Sequence, residues 1–207
     1  PVPHAWFPAF ENKKILGLAS GGGQQIPIFA ALGAETVLFD LSDRQLRTEK
    51  MVADREGYAC GIVKGDMTHP LPFRDESFDL IFHPVSNCYI EEVQPLWHEC
   101  YRVLKKGGVL LSGLDNGLNF LVEDDAEGAD LRIVNPLPYN PLKDRTEAEL
   151  ATIYEQNDGF QFSHTLEEQI GGQLIAGFTL TDLYEDRNNS GALAEYAPTY
   201  IATRSVK

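Results

Sequence analysis

Three consecutive glycines, Gly21, Gly22 and Gly23, stand between a short apolar run at 13–18 and a helical pattern at 24–32. A strand-to-helix turn built without side chains either needs positive φ or lets something approach the backbone where a Cβ would block it. The start of the following helix adds free N–H groups and a partial positive charge, suited to a carboxylate or phosphate. A plain tight turn between strand and helix is the competing reading, with a functional turn favoured. Pro27 falls in the first helical turn, where proline is tolerated, and Gly33 stops the helix.

The same alternation continues along the chain. Residues 36–40 read as a second strand. Ser42, with Gln45 three positions on, forms a capping-box pattern that starts a helix running to about Gly57. A third strand spans 60–64 and a fourth 78–82. Val93, Leu96, Trp97, Cys100 and Leu104 then recur at helical spacing, which places one apolar face on a helix and Trp97 in the core. Lys105 and Lys106 suit that helix's C-terminus, Gly107 and Gly108 break it, and 109–112 is a fifth strand.

This rhythm predicts an α/β fold: a Rossmann-like, doubly wound, mostly parallel sheet in three αβα layers. Five parallel strands are followed by closing C-terminal strands, one of them antiparallel. Residues 178–184 and 196–203 supply the closing strands, and 165–175 a helix despite Gly171 and Gly172. Residues 114–163 are acidic and proline-containing with weak periodicity, and read as a substrate-side insertion or cap within a single domain over 1–207. There is no internal repeat and no low-complexity linker.

Composition narrows the partners. At 207 residues one domain can bury a full core without staples. A formal net charge of −14 argues against a nucleic-acid backbone as the main partner, and the basic pairs Lys13-Lys14 and Lys105-Lys106 are short. The apolar runs are strand-length, so no membrane span is expected, and no signal-peptide pattern opens the chain. Cys60, Cys88 and Cys100 form no C-x-x-C pair. Neither a zinc site nor a disulfide framework is expected, and a reducing, cytoplasmic setting is. The chain opens on Pro1 rather than Met, as expected of a sequence lacking a native N-terminal segment.

Asp40 ends the second strand, nineteen residues after Gly21, where an acid can accept hydrogen bonds from both ribose hydroxyls. A plain helix N-terminal acid beside Ser42 and Asp43 is the competing reading. The two features suit a nicotinamide dinucleotide as well as other adenosine cofactors. The third glycine of G-x-G-x-x-G, however, would fall on Ile26, which counts against a nicotinamide-dependent oxidoreductase.

Further blocks follow in order: Gly65-Asp66-Met67; then Pro72-Phe73-Arg74-Asp75-Glu76-Ser77-Phe78-Asp79; then Glu99, Arg102-Val103-Leu104-Lys105 and Gly107-Gly108. Over about residues 13–113 this series resembles the class I S-adenosylmethionine-dependent methyltransferases, of the methyltransferase-11 type. The resemblance implies a methyltransferase that uses S-adenosylmethionine, releases S-adenosylhomocysteine, and methylates a small-molecule acceptor by in-line displacement. It implies a cofactor site in which Ala19, Ser20, Gly21, Gly22 and Gly23 lie against the methionine part. Asp40 would hold the ribose, with Leu41 and Gln45 near the adenine. Gly65, Asp66 and Met67 would bind the adenine, and His83 and Pro84 would complete the seat. Val85, Ser86 and Asn87 would line the way to the acceptor.

The chain departs from the family pattern at Gly17, where an acid in the first strand commonly helps hold the cofactor's amino group. That departure is the hint for a further reading, a protein that binds the cofactor without transferring a methyl group. His83 is a candidate base and Tyr89 a candidate positioning group, with packing at a strand end the competing role for His83. Trp6, Phe7 and Phe10 either cover the cleft or pack, packing being favoured. The acidic run Glu123, Asp124, Asp125, Glu127 and Asp130 either favours a cationic acceptor through its field or is a solvated face. His69, His98 and His164 lack metal-ligand spacing.

Overall fold

The computed structural model describes residues 2–124, 131–156, 159–191 and 193–207. After a 3-10 turn at His4–Trp6 come β1 (Lys14–Leu18), α1 (Ile26–Ala31), β2 (Glu35–Asp40), α2 (Asp43–Glu56), β3 (Cys60–Lys64) and β4 (Phe78–Pro84). A 3-10 turn, Ser86–Tyr89, leads to α3 (Gln94–Val103) and β5 (Leu104–Asp115). The middle segment holds α4 (Leu118–Leu121), β6 (Val122–Asp124), β7 (Leu131–Ile133), α5 (Pro141–Asp144) and α6 (Glu147–Gln156). A π-helical turn, Glu167–Gly171, runs into α7 (Gly172–Ala176), and β8 (Thr179–Asp186), α8 (Leu193–Tyr196) and β9 (Tyr200–Val206) close the chain.

The main sheet has the order β3-β2-β1-β4-β5-β9-β8. Strands β3, β2, β1, β4 and β5 pair in parallel, and β9 runs antiparallel between β5 and β8. The predicted topology therefore stands, with β6 and β7 adding a small antiparallel pair that the sequence reading did not contain.

Alternation along the strands feeds two cores. Leu16, Leu18, Phe39 and Ile81 join Leu96, Trp97, Cys100 and Val103 of α3 on one face. Ile15, Leu38 and Leu80 join Ile26 and Phe29 of α1 and Leu46 of α2 on the other. Trp6, Phe7 and Phe10 belong to this second core, with Phe7 against Phe82 and Phe10 stacked on Phe29, so their role is packing. Of the two glycines unpromising for a helix, Gly172 has a physical reason: a Cβ there would stand 2.7 Å from Trp97 Cδ1, whereas one on Gly171 would meet only Glu167 at 3.7 Å. The helix comes that close because the side chain is missing.

Three local expectations are corrected. The Lys105–Gly108 stretch does not cap α3; that helix ends at Val103, and β5 begins at Leu104, opposite Phe78. Lys105 Nζ instead reaches Asp79 Oδ2 at 2.7 Å, and Lys13 Nζ reaches Oδ1 of the same carboxylate at 3.3 Å. Tyr196 ends α8, and the last strand begins only at Tyr200. At α2, Ser42 Oγ does accept from the Gln45 N–H, but Gln45's side chain does not return the bond. The Ser42 N–H donates to Asp40 Oδ1 at 2.8 Å.

The acidic and basic residues of the family-like blocks prove to be fasteners. Arg102 donates through Nε and Nη2 to both oxygens of Glu99, and through Nη1 and Nη2 to the carbonyls of Phe73 and Leu71. Glu99 Oε2 also accepts the Leu71 N–H at 2.6 Å. One planar fork thus locks the loop before β4 onto α3, a geometry lysine cannot copy. Arg102→Lys is expected to lower stability by about 2 kcal/mol. Urea unfolding checks this, with cofactor affinity kept in the folded variant.

Candidate cofactor and acceptor cleft

The order reversal between β1 and β4 is where a doubly wound sheet opens a crevice at its strands' carboxyl ends. A cleft of about 390 Å³ lies there. Its near wall is Ala19, Ser20 and Gly21 after β1, with Gln24 and Gln25; Pro84 ends β4, and Val85 and Ser86 follow it. Its far wall includes Cys88, Tyr89, Asp115, Phe120 and Tyr200. Two of its residues, Ala19 (φ 47°) and Val85 (φ 55°), hold positive φ without being glycine. For a β-branched residue this conformation is strained, and strain of that kind gathers at functional sites. The Val85 N–H is fixed to the Gly113 carbonyl at 2.9 Å.

Asp40 sits at the tip of β2 and is 8 % exposed. Burial raises its carboxyl above the usual range, against backbone N–H donors from Ser42, Gly21 and Leu41. It therefore ties the glycine loop to the second strand while keeping acceptor capacity, since a carboxylate has about four lone-pair sites.

The glycines divide by cause. Gly21 and Gly23 have φ of 70° and 72°. Gly22 is different, because a Cβ there would overlap the Gln45 carbonyl oxygen and stand 2.8 Å from the Glu49 amide nitrogen. What presses against Gly22 is thus α2 rather than a cofactor. Two loop N–H groups are spoken for from the same helix. Gly22 donates to Gln45 Oε1 at 2.9 Å and Gly23 to Glu49 Oε2 at 2.7 Å. Glu49 is fully buried, and its other oxygen accepts from Tyr58 Oη at 2.6 Å. Gln45 therefore braces the loop instead of reaching toward an adenine, and Gly22 and Gly23 do not line the cleft.

The remaining candidates separate in the same way. Pro84, Val85, Ser86 and Tyr89 line the cleft. His83 does not: it is fully buried, its Nδ1 stands 2.9 Å from the Leu18 carbonyl, and Trp97 packs edge-on against it. Burial brings its imidazole down to about 4, so it is neutral near pH 7 with the Nδ1 proton held by Leu18. This removes His83 as a base facing an acceptor. Asn87 is also turned inward, donating to Gln169 Oε1 at 3.0 Å. Asp66 closes a turn at the end of β3, its Oδ1 accepting the Thr68 N–H and hydroxyl. Burial opposes ionisation there, but those bonds and His69 bring its carboxyl below the usual range. Gly65 leaves room for the Phe39 ring, and Met67 packs on the core; Leu41 is exposed.

Gly17 has a structural explanation. A Cβ there would lie 2.5 Å from Ser20 Oγ and 2.7 Å from Ile26 Cδ1, so the space for an acid is already filled. Ser20 Oγ is buried and makes no hydrogen bond among the described residues. The residues that sequence reasoning missed are Gln24, Gln25, Cys88, Asp115, Phe120, Gln161 and Tyr200. Asp115 carried a readable signal, being an acid at a strand's carboxyl end like Asp40. Asp125, Glu127 and Asp130 of the acidic run lie outside the described residues.

Residues 16–112 match the model of the methyltransferase domain family. The protein named uncharacterized methyltransferase YbaJ of Bacillus subtilis (strain 168) is 44 % identical over 207 residues, all of this chain and 81 % of that relative. A sterol 24-C-methyltransferase of Pneumocystis carinii is 27 % identical over 164 residues, 76 % of this chain but only 42 % of that enzyme. Among solved structures, an S-adenosylmethionine dependent methyltransferase from Mesorhizobium loti superposes with a TM-score of 0.72 at 15 % identity, covering 98 % of this chain and 94 % of its own.

Proposed function

The chain belongs to the class I S-adenosylmethionine-dependent methyltransferases, and from this we propose that it methylates a small-molecule acceptor held in the cleft between β1, β4 and β5. S-adenosylmethionine is the family's cofactor. The observation that carries the reading is the placement of the cleft at the sheet's reversal, with Asp40 at the neighbouring strand tip. In this reading residues 19–21 bear the methionine part, Asp40 takes the ribose hydroxyls, and residues 65–67 with Leu41 flank the adenine. Residues 84–86 and Tyr89 face the acceptor, and the segment 114–163 forms a substrate-side cap whose Phe120 and Gln161 line the cleft. In this reading the setting is cytoplasmic, which the free cysteines Cys60, Cys88 and Cys100 suit. No helix among the described residues is long and apolar enough to cross a membrane.

When bound, S-adenosylmethionine supplies a methyl group already activated by the charge on sulfur. The chain's task is then to align the two reactants and exclude water. The fixed turn at Val85 and the braced loop at 19–23 serve alignment, and the rings of Tyr89 and Phe120 help exclude water.

Calorimetric titration with S-adenosylmethionine, S-adenosylhomocysteine and NAD tests this. The two sulfur compounds bind and NAD does not; the reverse would revive the oxidoreductase reading. Asp40→Ala is expected to weaken cofactor binding by about 2 kcal/mol, the loss for a charge-assisted hydrogen bond. Unchanged affinity in a folded variant counts against the ribose assignment. The second reading, binding without transfer, draws on Gly17. It gains if cofactor binds tightly while no S-adenosylhomocysteine forms across a broad acceptor panel.

A further inference from the structure

The far wall of the cleft carries a charge that none of the roles above uses. Asp115 ends β5 and is 8 % exposed, yet it lines the cleft. Its Oδ1 accepts the Gly117 N–H at 2.7 Å and its Oδ2 the Asn119 side-chain amide at 2.6 Å. Both donors are neutral. Among the described residues no cationic side chain forms an ion pair with it. A carboxylate withdrawn from water without a counter-charge is costly, and two donors leave part of its acceptor capacity unused.

The surroundings tell what would complete it. Antiparallel pairing sets Tyr200 directly opposite Asp115 across β5 and β9. Phe120, stacked on Tyr139 at 5.7 Å between ring centroids, and Tyr89 line the same cleft. Aromatic faces attract cations, most strongly where water is excluded. The titratable neighbours feel the negative charge. Burial first, and Asp115 second, push the Cys88 thiol up to about 12 and raise the Tyr200 phenol. An anionic acceptor would be repelled here, and a neutral one would leave the carboxylate unpaired.

We infer that the acceptor carries a cationic amino group, with Asp115 as its counter-ion and Tyr89, Phe120 and Tyr200 as the walls around it. The inference rests on the cleft being the methyl-transfer site proposed above, and it adds the acceptor's chemical class. The chain's formal net charge of −14 would also draw such a cation toward the protein.

The test is a binding measurement. Protein saturated with S-adenosylhomocysteine is titrated with phenethylamine and hexylamine, and separately with 2-phenylethanol and hexanol, which match them in carbon skeleton without the charge. The amines are expected to bind at least tenfold more tightly than the alcohols. Asp115→Asn, which keeps an oxygen for the Gly117 N–H, should erase that preference while leaving S-adenosylhomocysteine affinity within about threefold. Phe120→Leu provides a second variant that leaves the carboxylate's bonds in place, and should weaken the amines more than the alcohols. Equal binding of amine and alcohol, or a preference that survives Asp115→Asn, overturns the inference. A loss of S-adenosylhomocysteine binding in Asp115→Asn also overturns it, because the carboxylate then belongs to the cofactor. Failure of S-adenosylhomocysteine to bind the unaltered protein, read before any amine is added, removes the underlying seat instead.

Discussion

Replacing Gly22 with alanine is expected to cost about 3 kcal/mol of stability or more, the upper range for overpacking at a buried contact. The new Cβ would meet the Gln45 carbonyl and the Glu49 amide, both backbone groups of α2. Backbone within a helix cannot rotate aside as a side chain would, so the loop and the helix must part. That separation would also break the bonds from Gly22 to Gln45 and from Gly23 to Glu49. Gly21→Ala offers the contrast. Gly21 needs positive φ, but its nearest neighbour to a new Cβ is a flexible Gln24 side-chain atom at 3.4 Å. Its cost should be nearer the backbone penalty of about 1 kcal/mol. Denaturant midpoints for the two variants check both values. Equal midpoints would contradict the claim that α2 presses against the loop at Gly22.

The second large effect is at Glu49. Its buried carboxylate takes one hydrogen bond from the Gly23 N–H and one from Tyr58 Oη. Truncation in Glu49→Ala leaves both donors unpaired and opens a cavity, together worth about 3 kcal/mol. Glu49→Gln retains one acceptor oxygen, so it should recover part of the loss. Because the Gly23 N–H belongs to the loop beneath the cleft, cofactor affinity should fall in Glu49→Ala even where the variant stays folded. Loss of stability with affinity unchanged would confine Glu49 to the core. Burial first, and then its bond to Glu49, hold the Tyr58 phenol above its usual range. In Glu49→Ala that hydrogen bond is gone, and the phenol's titration should move down.

Much of the fold was legible because the signals were local. The capping serine at 42, the stop at Gly57 and the apolar stripe of α3 act within a few residues of where they stand. The start of β5 was not legible for the complementary reason. Lys105 to Gly108 carry every local mark of a helix end, but the strand is set by pairing of Leu104 with Phe78 and by the bond from Lys105 to Asp79. The site shows the same division. Asp40 stands at a strand tip legible in the sequence, and Asp115 obeys the same rule three strands further across the sheet. Gln45 and Glu49 could not be assigned, since nothing in a helix's own sequence says that its side chains brace a loop more than 20 residues earlier. His83 lies at a strand end in sequence, yet only the packing of Leu18 and Trp97 around it shows that it faces the core.

The central claim is that the crevice between β1 and β4 seats an adenosine linked to a charged sulfur. A crystal structure of the protein grown with S-adenosylhomocysteine tests it most directly. The nucleoside is expected above the strand tips, with both ribose hydroxyls on Asp40 and the homocysteine along residues 19–21. A crevice empty at saturating ligand, or a nucleoside bound elsewhere, would contradict it.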